Sequence, residues 1–321
     1  MKTTKSFKYW QWRTIIATMI GYALFYFVRK NFSFAIPGLS AEYGITKTSF
    51  GIIMTLTTIV YGVSRFLNGF VADRLSARYH MAIGLLLCAI ANFAFGFGAD
   101  ISSLITGETG GPQFTNTLIF FFGVILILNN FLQGSGFPPC ARLLTHWIPP
   151  KELATKMSIW NTSHSIGASL AAMLCGYIMG TLGTNLSANP EILATIAANL
   201  NIDMSDSARM QSVLESASHI GAWRWCFWIP GTLAFVGAIG LFMMLRDTPS
   251  SVGLPEIHKI NKKEEGAEYK AFIREKVFRN KWIWILGIAN FFVYVVRFAV
   301  LDWGPTFLKE ARGMSLTNAG W

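Results

Sequence analysis

Residues 21–37 read GYALFYFVRKNFSFAIP, an apolar run interrupted at its middle by Arg29 and Lys30. With its flanks the run is long enough to cross a bilayer, which takes about 20 residues of helix. A cation at the centre of such a helix costs about 2.5 kcal/mol or more, so it marks a functional site by default. Tyr22, Tyr26 and Arg29 follow at i, i+4 and i+7 and share one helix face. That face is expected to line water or a partner. Lys30 lies about 100° further round the helix and is assigned a supporting role.

The rest of the chain agrees with a membrane reading. Of 321 residues, 52% are hydrophobic and 14% charged, and the mean hydropathy is +0.42. These values describe an all-α, multi-pass membrane protein. A net charge of +10 suggests nucleic acid in a soluble chain. Here the cations fall between apolar runs and act as topology signals, so no nucleic-acid partner is expected. Cys88, Cys140, Cys175 and Cys226 lie in or beside apolar runs without paired loop spacing, which predicts packing cysteines rather than disulfides or a zinc site. The first run has no cleavage site and carries the Arg, so it is not a removable signal peptide.

Hydropathy over a span-length window predicts helices near 13–36, 48–72, 80–99, 117–139, 154–182, 221–246 and 281–303, with an eighth only beginning at Trp321. Lys and Arg alternate between the connections. The N-terminus carries Lys2, Lys5, Lys8 and Arg13; Arg74 and Arg78 follow the second span; Arg142, Lys151 and Lys156 follow the fourth; the stretch from Arg246 to Lys281 inclusive carries nine more. The intervening connections carry Lys47, none from Ala99 to Asn116, and then Arg209 and Arg224. The positive-inside rule therefore predicts a cytoplasmic N-terminus. Residues 1–246 read as a six-helix bundle, 247–280 as a basic cytoplasmic linker, and 281–321 as the start of a second bundle. No chemistry is assigned to the loop 183–220.

An internal repeat supports that division. Tyr294, Arg297, Pro305 and Glu310 each stand 268 residues after Tyr26, Arg29, Pro37 and Glu42. A parallel repeat makes the seventh helix the counterpart of the first. About five helices of the second half are then missing, and the chain reads as a fragment or a truncated gene product.

Other residues on the spans carry chemistry of the same kind. Tyr61 and Arg65 form a second aromatic and cation pair at i, i+4. Gly69-x-x-x-Asp73-Arg74 resembles the inter-helix motif of the major facilitator superfamily, where the Gly admits a close helix and the charges act at the cytoplasmic interface. Gln133 to Pro139 (QGSGFPP), with Phe137, predicts a bend facing a cavity. Asn161 and His164 share a face of the fifth span at i, i+3, while Gly167, Ala168, Gly176 and Gly180 allow close packing elsewhere on it. Arg297 and Asp302 do not share a face, so Asp302 is expected to bridge to another helix. Arg29, Lys30, Arg65, Arg297 and a titratable His164 leave an excess of positive charge with few acids to meet it. A cavity of guanidinium forks, phenols (Tyr22, Tyr26, Tyr61, Tyr294) and an imidazole suits phosphate or carboxylate. His164 is placed to respond to the charge state of a phosphate. No nucleophile, metal cluster, cofactor motif or Walker-type loop stands out, so neither catalysis nor ATP-driven transport is expected.

The stretch 21–31 (GYALFYFVRKN), Tyr61 to Arg65 with Asp73-Arg74, Gln133 to Pro139, Trp160-Asn161-x-x-His164, 246–255 (RDTPSSVGLP) and Tyr294-x-x-Arg297 with 302–310 (DWGPTFLKE) together resemble the organophosphate:phosphate antiporter family, a branch of the major facilitator superfamily. That branch includes the bacterial glycerol-3-phosphate and hexose-6-phosphate transporters. The resemblance covers essentially the whole chain and implies exchange of an organic phosphate for inorganic phosphate across the bacterial inner membrane. Arg29 and Arg297 match the family's two essential arginines, His164 its fifth-helix histidine, and Tyr22, Tyr26 and Tyr61 its tyrosines. Two positions depart: Arg65 stands where the glycerol-3-phosphate transporter has Lys, and Phe137 where the family segment has Trp. Both border the cavity, so the particular substrate stays open. Two other readings use the same cavity: a sugar-phosphate sensor that signals to a membrane histidine kinase, and a major facilitator transporter of another organic anion.

Overall fold

A computed structural model describes residues 6–185, 190–199, 203, 205, 219–257, 271 and 274–320. Most of the basic connection after residue 257, and Arg209 with most of the loop before the sixth span, lie outside those residues. The helices are α1 (Phe7–Tyr43), α2 (Lys47–Arg74), α3 (Ala77–Gly96), α4 (Gly98–Thr106), α5 (Pro112–Gln133), α6 (Phe137–Trp147), α7 (Pro150–Thr181), α8 (Pro190–Asn199), α9 (Ala222–Met244), α10 (Lys281–Arg312) and α11 (Leu316–Gly320). A two-residue antiparallel pair joins Thr184–Asn185 to His219–Ile220.

Several boundaries move from their expected places for local reasons. Pro37 and Pro305 do not stop their helices; α1 continues to Tyr43 and α10 to Arg312, as membrane helices tolerate when neighbours re-satisfy the freed backbone. Each then ends on a left-handed glycine, Gly44 (φ 65°) and Gly313 (φ 63°), the conformation that closes a helix and that only glycine adopts without strain. The third span breaks at Phe97 into α3 and α4. The fourth does not finish near residue 139: it bends at 134–136 and resumes as α6 to Trp147. The helix expected to begin at Trp321 starts earlier, at Leu316.

Among the described residues, five segments are long and apolar enough to span a membrane: Lys47–Arg74, Ala77–Gly96, Pro112–Trp147, Ala222–Met244 and Lys281–Arg312. The chain is a multi-pass membrane protein. The long helices α1 (37 residues) and α7 (32 residues) fall short in hydropathy, although both are long enough. They are the helices that carry Arg29, Lys30, Asn161 and His164.

α1 is the centre of the bundle, packed against α3, α6, α7, α8, α9 and α10. Small residues set its approach to α7: a Cβ on Gly167 would stand 2.7 Å from the Ala23 Cα. Two apolar cores lie along it. One gathers Phe32, Phe95, Phe122, Trp223 and Phe227, with Phe95 stacked on Phe122 (4.1 Å) and Phe227 (4.0 Å between centroids). The other gathers Tyr22, Phe25, Val28, Met81 and Trp160 nearer the basic end. All four cysteines are free and buried in these cores.

Candidate functional site

Between the two cores runs a layer of amides. The Val28 carbonyl accepts from Asn129 Nδ2 at 2.9 Å, Asn92 Nδ2 at 3.1 Å and Gln133 Nε2 at 3.5 Å. Asn31 Nδ2 donates to Asn92 Oδ1 at 2.7 Å and to the Cys226 carbonyl at 2.9 Å. All four amides are at least 95% buried, where an unpaired polar group costs about 1–3 kcal/mol and a paired one fixes geometry. The layer therefore pins α1 one residue before Arg29. Gln133 was legible in the sequence; Asn31, Asn92 and Asn129 were not singled out, although polar amides inside apolar spans are themselves a signal.

Arg29 projects from this anchored turn into an aromatic frame. Its guanidinium carbon lies 3.9 Å from the Tyr61 ring centroid, 5.6 Å from that of Tyr26 and 5.7 Å from that of Phe298. Such cation–π contacts offset part of the desolvation of a charge held away from water. Arg29 forms no ion pair among the described residues. Tyr22 stacks on Trp160 at 4.9 Å, whose indole N–H donates to Thr18 Oγ1 at 3.1 Å, and Tyr26 lies 5.8 Å from the His164 ring. Arg65 sits 4.5 Å over Phe137, so the bend between α5 and α6 supplies one wall.

α10 brings in Arg297, 5.7 Å over the ring of Tyr294 and close enough to His164 and Lys30 for its charge to act on both. Arg29, Arg65 and Arg297 are half-buried, and Arg29 and Arg65 both reach the Tyr61 phenol. Asn161 is exposed and makes no side-chain bond to these arginines; its position contributes through the backbone near His164.

Lys30 does not add to the excess of positive charge. It is paired with Asp302 of α10, and the two side chains are 9% and 18% exposed. Asp302 thus bridges helices as its position suggested, and Lys30 becomes a buried strut between α1 and α10. A pocket of about 40 Å³, room for a few waters, lies beside this pair and is lined by Arg29, Lys30, Ser33, Thr57, Asn130 and Asp302 among others. Further toward the same end, Lys47 pairs with Glu310 across the surface and Thr317 donates to the Gly176 carbonyl at 3.1 Å. The contacts of α10 and α11 with the bundle gather at the end away from the basic connections. At the other end of α10, Trp282, Ile285, Ile288 and Phe292 are exposed among the described residues.

The motif at the basic end of α2 lies on the surface of the described residues. A Cβ on Gly69 would meet no atom within 4 Å, so no helix approaches there among the described residues. Gly69 and Asp73 instead line a groove of about 710 Å³ with Phe66, Phe70 and Arg142, and Arg74 is exposed beside it. The close approach occurs one turn away, where a Cβ on Gly134 would stand 2.8 Å from the Ser64 backbone and the Ser64 hydroxyl donates to the Phe131 carbonyl.

Comparison with known proteins places this geometry. The model of the Major Facilitator Superfamily matches residues 18–321. A probable hexose phosphate transport protein of Chlamydia trachomatis is 35% identical over 98% of this chain and 60% of its own length. The glycerol-3-phosphate transporter of Bacillus subtilis is 33% identical over 100% and 62%, and the membrane sensor protein UhpC of Escherichia coli 33% identical over 98% and 60%. The chain thus spans about three fifths of the length of these relatives. A solved bacterial homologue of the human lysosomal transporter Spinster, inward-facing and unoccupied, superposes with a TM-score of 0.63 at 17% identity, covering 97% of this chain and 58% of the other.

Proposed function

Because the chain belongs to the Major Facilitator Superfamily, a family of transporters rather than enzymes, we propose that the full-length protein exchanges an organic phosphate for inorganic phosphate across the bacterial inner membrane, with its N-terminus in the cytoplasm. One observation carries the reading: Arg29 is held among phenol rings with no carboxylate partner among the described residues, and Arg297 of α10, whose charge reaches His164 and Lys30, is taken as the second grip. A phosphoryl group fits two guanidinium forks, each offering paired N–H donors. Gripping it from both sides draws the two halves of the full-length protein together. That movement strains the Lys30–Asp302 strut, and exchange follows by alternating access. Glycerol-3-phosphate or a hexose phosphate is the substrate class that the relatives' names support.

The test is reconstitution of the full-length protein in liposomes loaded with inorganic phosphate. Exchange is expected, and Arg29→Lys or Arg297→Lys is expected to abolish it. Exchange indifferent to both substitutions overturns the reading. The likeness to a membrane sensor supports a second reading, a sugar-phosphate receptor acting on a histidine kinase. It predicts phosphate-ester binding of the same arginine dependence without counterflow. If phosphate fails to compete for binding, the cargo is another organic anion.

A further inference from the structure

Three arginines from separate parts of the chain converge on the last turn of α9. Arg13 of α1 donates from Nε to the Met244 carbonyl at 3.0 Å and from a terminal nitrogen to the Met243 carbonyl at 2.9 Å. Arg78 at the start of α3 donates from Nε to the Phe242 carbonyl at 3.0 Å. Arg246 donates to the carbonyls of Met243 (3.2 Å) and Leu245 (2.6 Å). A helix C-terminus presents about half a unit of negative charge, which three guanidinium groups exceed. Two carboxylates lie nearby and both are engaged. Asp247 accepts from the Ser76 hydroxyl at 2.5 Å and the Arg78 N–H at 2.8 Å, and Glu152 is paired with Lys156 at 2.5 Å. Burial and the charges of Arg78 and Arg13 hold Arg246 below the ordinary guanidinium value.

Beside this cluster lies a groove of about 510 Å³ lined by Lys8, Tyr9, Trp12, Arg13, Ile16 and Met244. The Arg13 guanidinium lies 4.7 Å over the Trp10 ring, and the exposed Lys8 adds another positive charge. Away from the charged end, the surface continues over exposed apolar side chains: Ile16 and Ile20 one turn apart on α1, and Met243 on α9. The groove thus has a cationic head, an aromatic collar and an apolar tail, the order in which a membrane interface gives way to hydrocarbon.

We propose that this groove binds one anionic glycerophospholipid from the leaflet at the basic end. The phosphate lies between Lys8 and Arg13, whose second terminal nitrogen donates to the Tyr9 hydroxyl at 3.3 Å and keeps one N–H for it; the glycerol is level with Tyr9 and Trp12, and an acyl chain runs along Ile16 and Ile20. Charge complementarity selects the occupant. A zwitterionic lipid would return its own cation to an already crowded site, and free phosphate would leave the apolar walls uncovered. The proposal is independent of the transported substrate.

The experiment is native mass spectrometry of the protein released from nanodiscs of phosphatidylcholine doped with phosphatidylglycerol. The wild type is expected to retain one phosphatidylglycerol in preference to phosphatidylcholine, in the presence or absence of millimolar inorganic phosphate. Lys8→Glu, which reverses an exposed charge, is expected to lower that retention about 10-fold. Trp12→Ala is expected to lower it for both lipids alike, and circular dichroism is expected to show unchanged helix content in both variants. Equal retention of the two lipids by the wild type, displacement by inorganic phosphate, or full retention by Lys8→Glu overturns the proposal.

Discussion

α1 and α10 carry the same short pattern in different surroundings. Arg29 lies 5.6 Å over Tyr26, and Arg297 lies 5.7 Å over Tyr294. That agreement follows from i, i+3 spacing on a helix and needs nothing from the rest of the fold. Four turns on, the copies diverge. Glu42 accepts from the Gly221 N–H at 2.6 Å and the Trp223 indole at 3.0 Å, seating α1 on the positive end of α9. Its counterpart Glu310 pairs with exposed Lys47 on α2. Local sequence sets the side-chain geometry of the repeat, whereas each helix's neighbours decide whether a given charge anchors, bridges or binds.

The sharpest way to break that comparison is Asp302→Asn, which leaves Lys30 buried and unpaired. A loss of about 3 kcal/mol is expected in unfolding measurements, because removing one member of a buried pair strands the other. The double variant Lys30→Met/Asp302→Leu is expected to regain most of it, and a double variant no better than the single excludes a pair. Next come the arginines. Arg29→Lys and Arg297→Lys are each expected to weaken phosphate binding about 10- to 100-fold, the value of a charge-assisted bidentate bond. Titration calorimetry that finds one of them silent shows the two helices to be unequal in binding despite their equal geometry. Asn92→Leu touches only the α1 side. It is expected to cost about 1 kcal/mol of stability and to weaken phosphate binding through Arg29, and unchanged affinity would separate the amide layer from the site. Lys47→Gln is the smallest: at 58% and 49% side-chain exposure, the pair is expected to contribute under about 0.5 kcal/mol, and nothing near 1 M salt.

The spans, the central Arg29 and the repeat were legible because periodicity, hydropathy and a constant offset are local or additive signals. The Lys30–Asp302 strut was half-legible: the sequence marked Asp302 as a bridging residue but gave no partner, since pairing across 272 positions leaves no periodic trace. The amide layer was hidden for another reason. Asn31, Asn92 and Asn129 sit on three helices, and only packing brings them to one carbonyl. The bend in the fourth span was legible, but the resumption of the helix to Trp147 was not, because glycine and proline announce a break without saying whether a helix resumes.

The grip on the Val28 carbonyl has a mechanical consequence. Donors from α3 and α5 hold one point of the α1 backbone, and a Cβ at Gly167 has no room beside Ala23. Sliding α1 along its own axis would break the first and collide at the second, whereas tilting the bundle as one body disturbs neither. α1 behaves as an axle rather than a piston, and Arg29 sits one residue from its bearing.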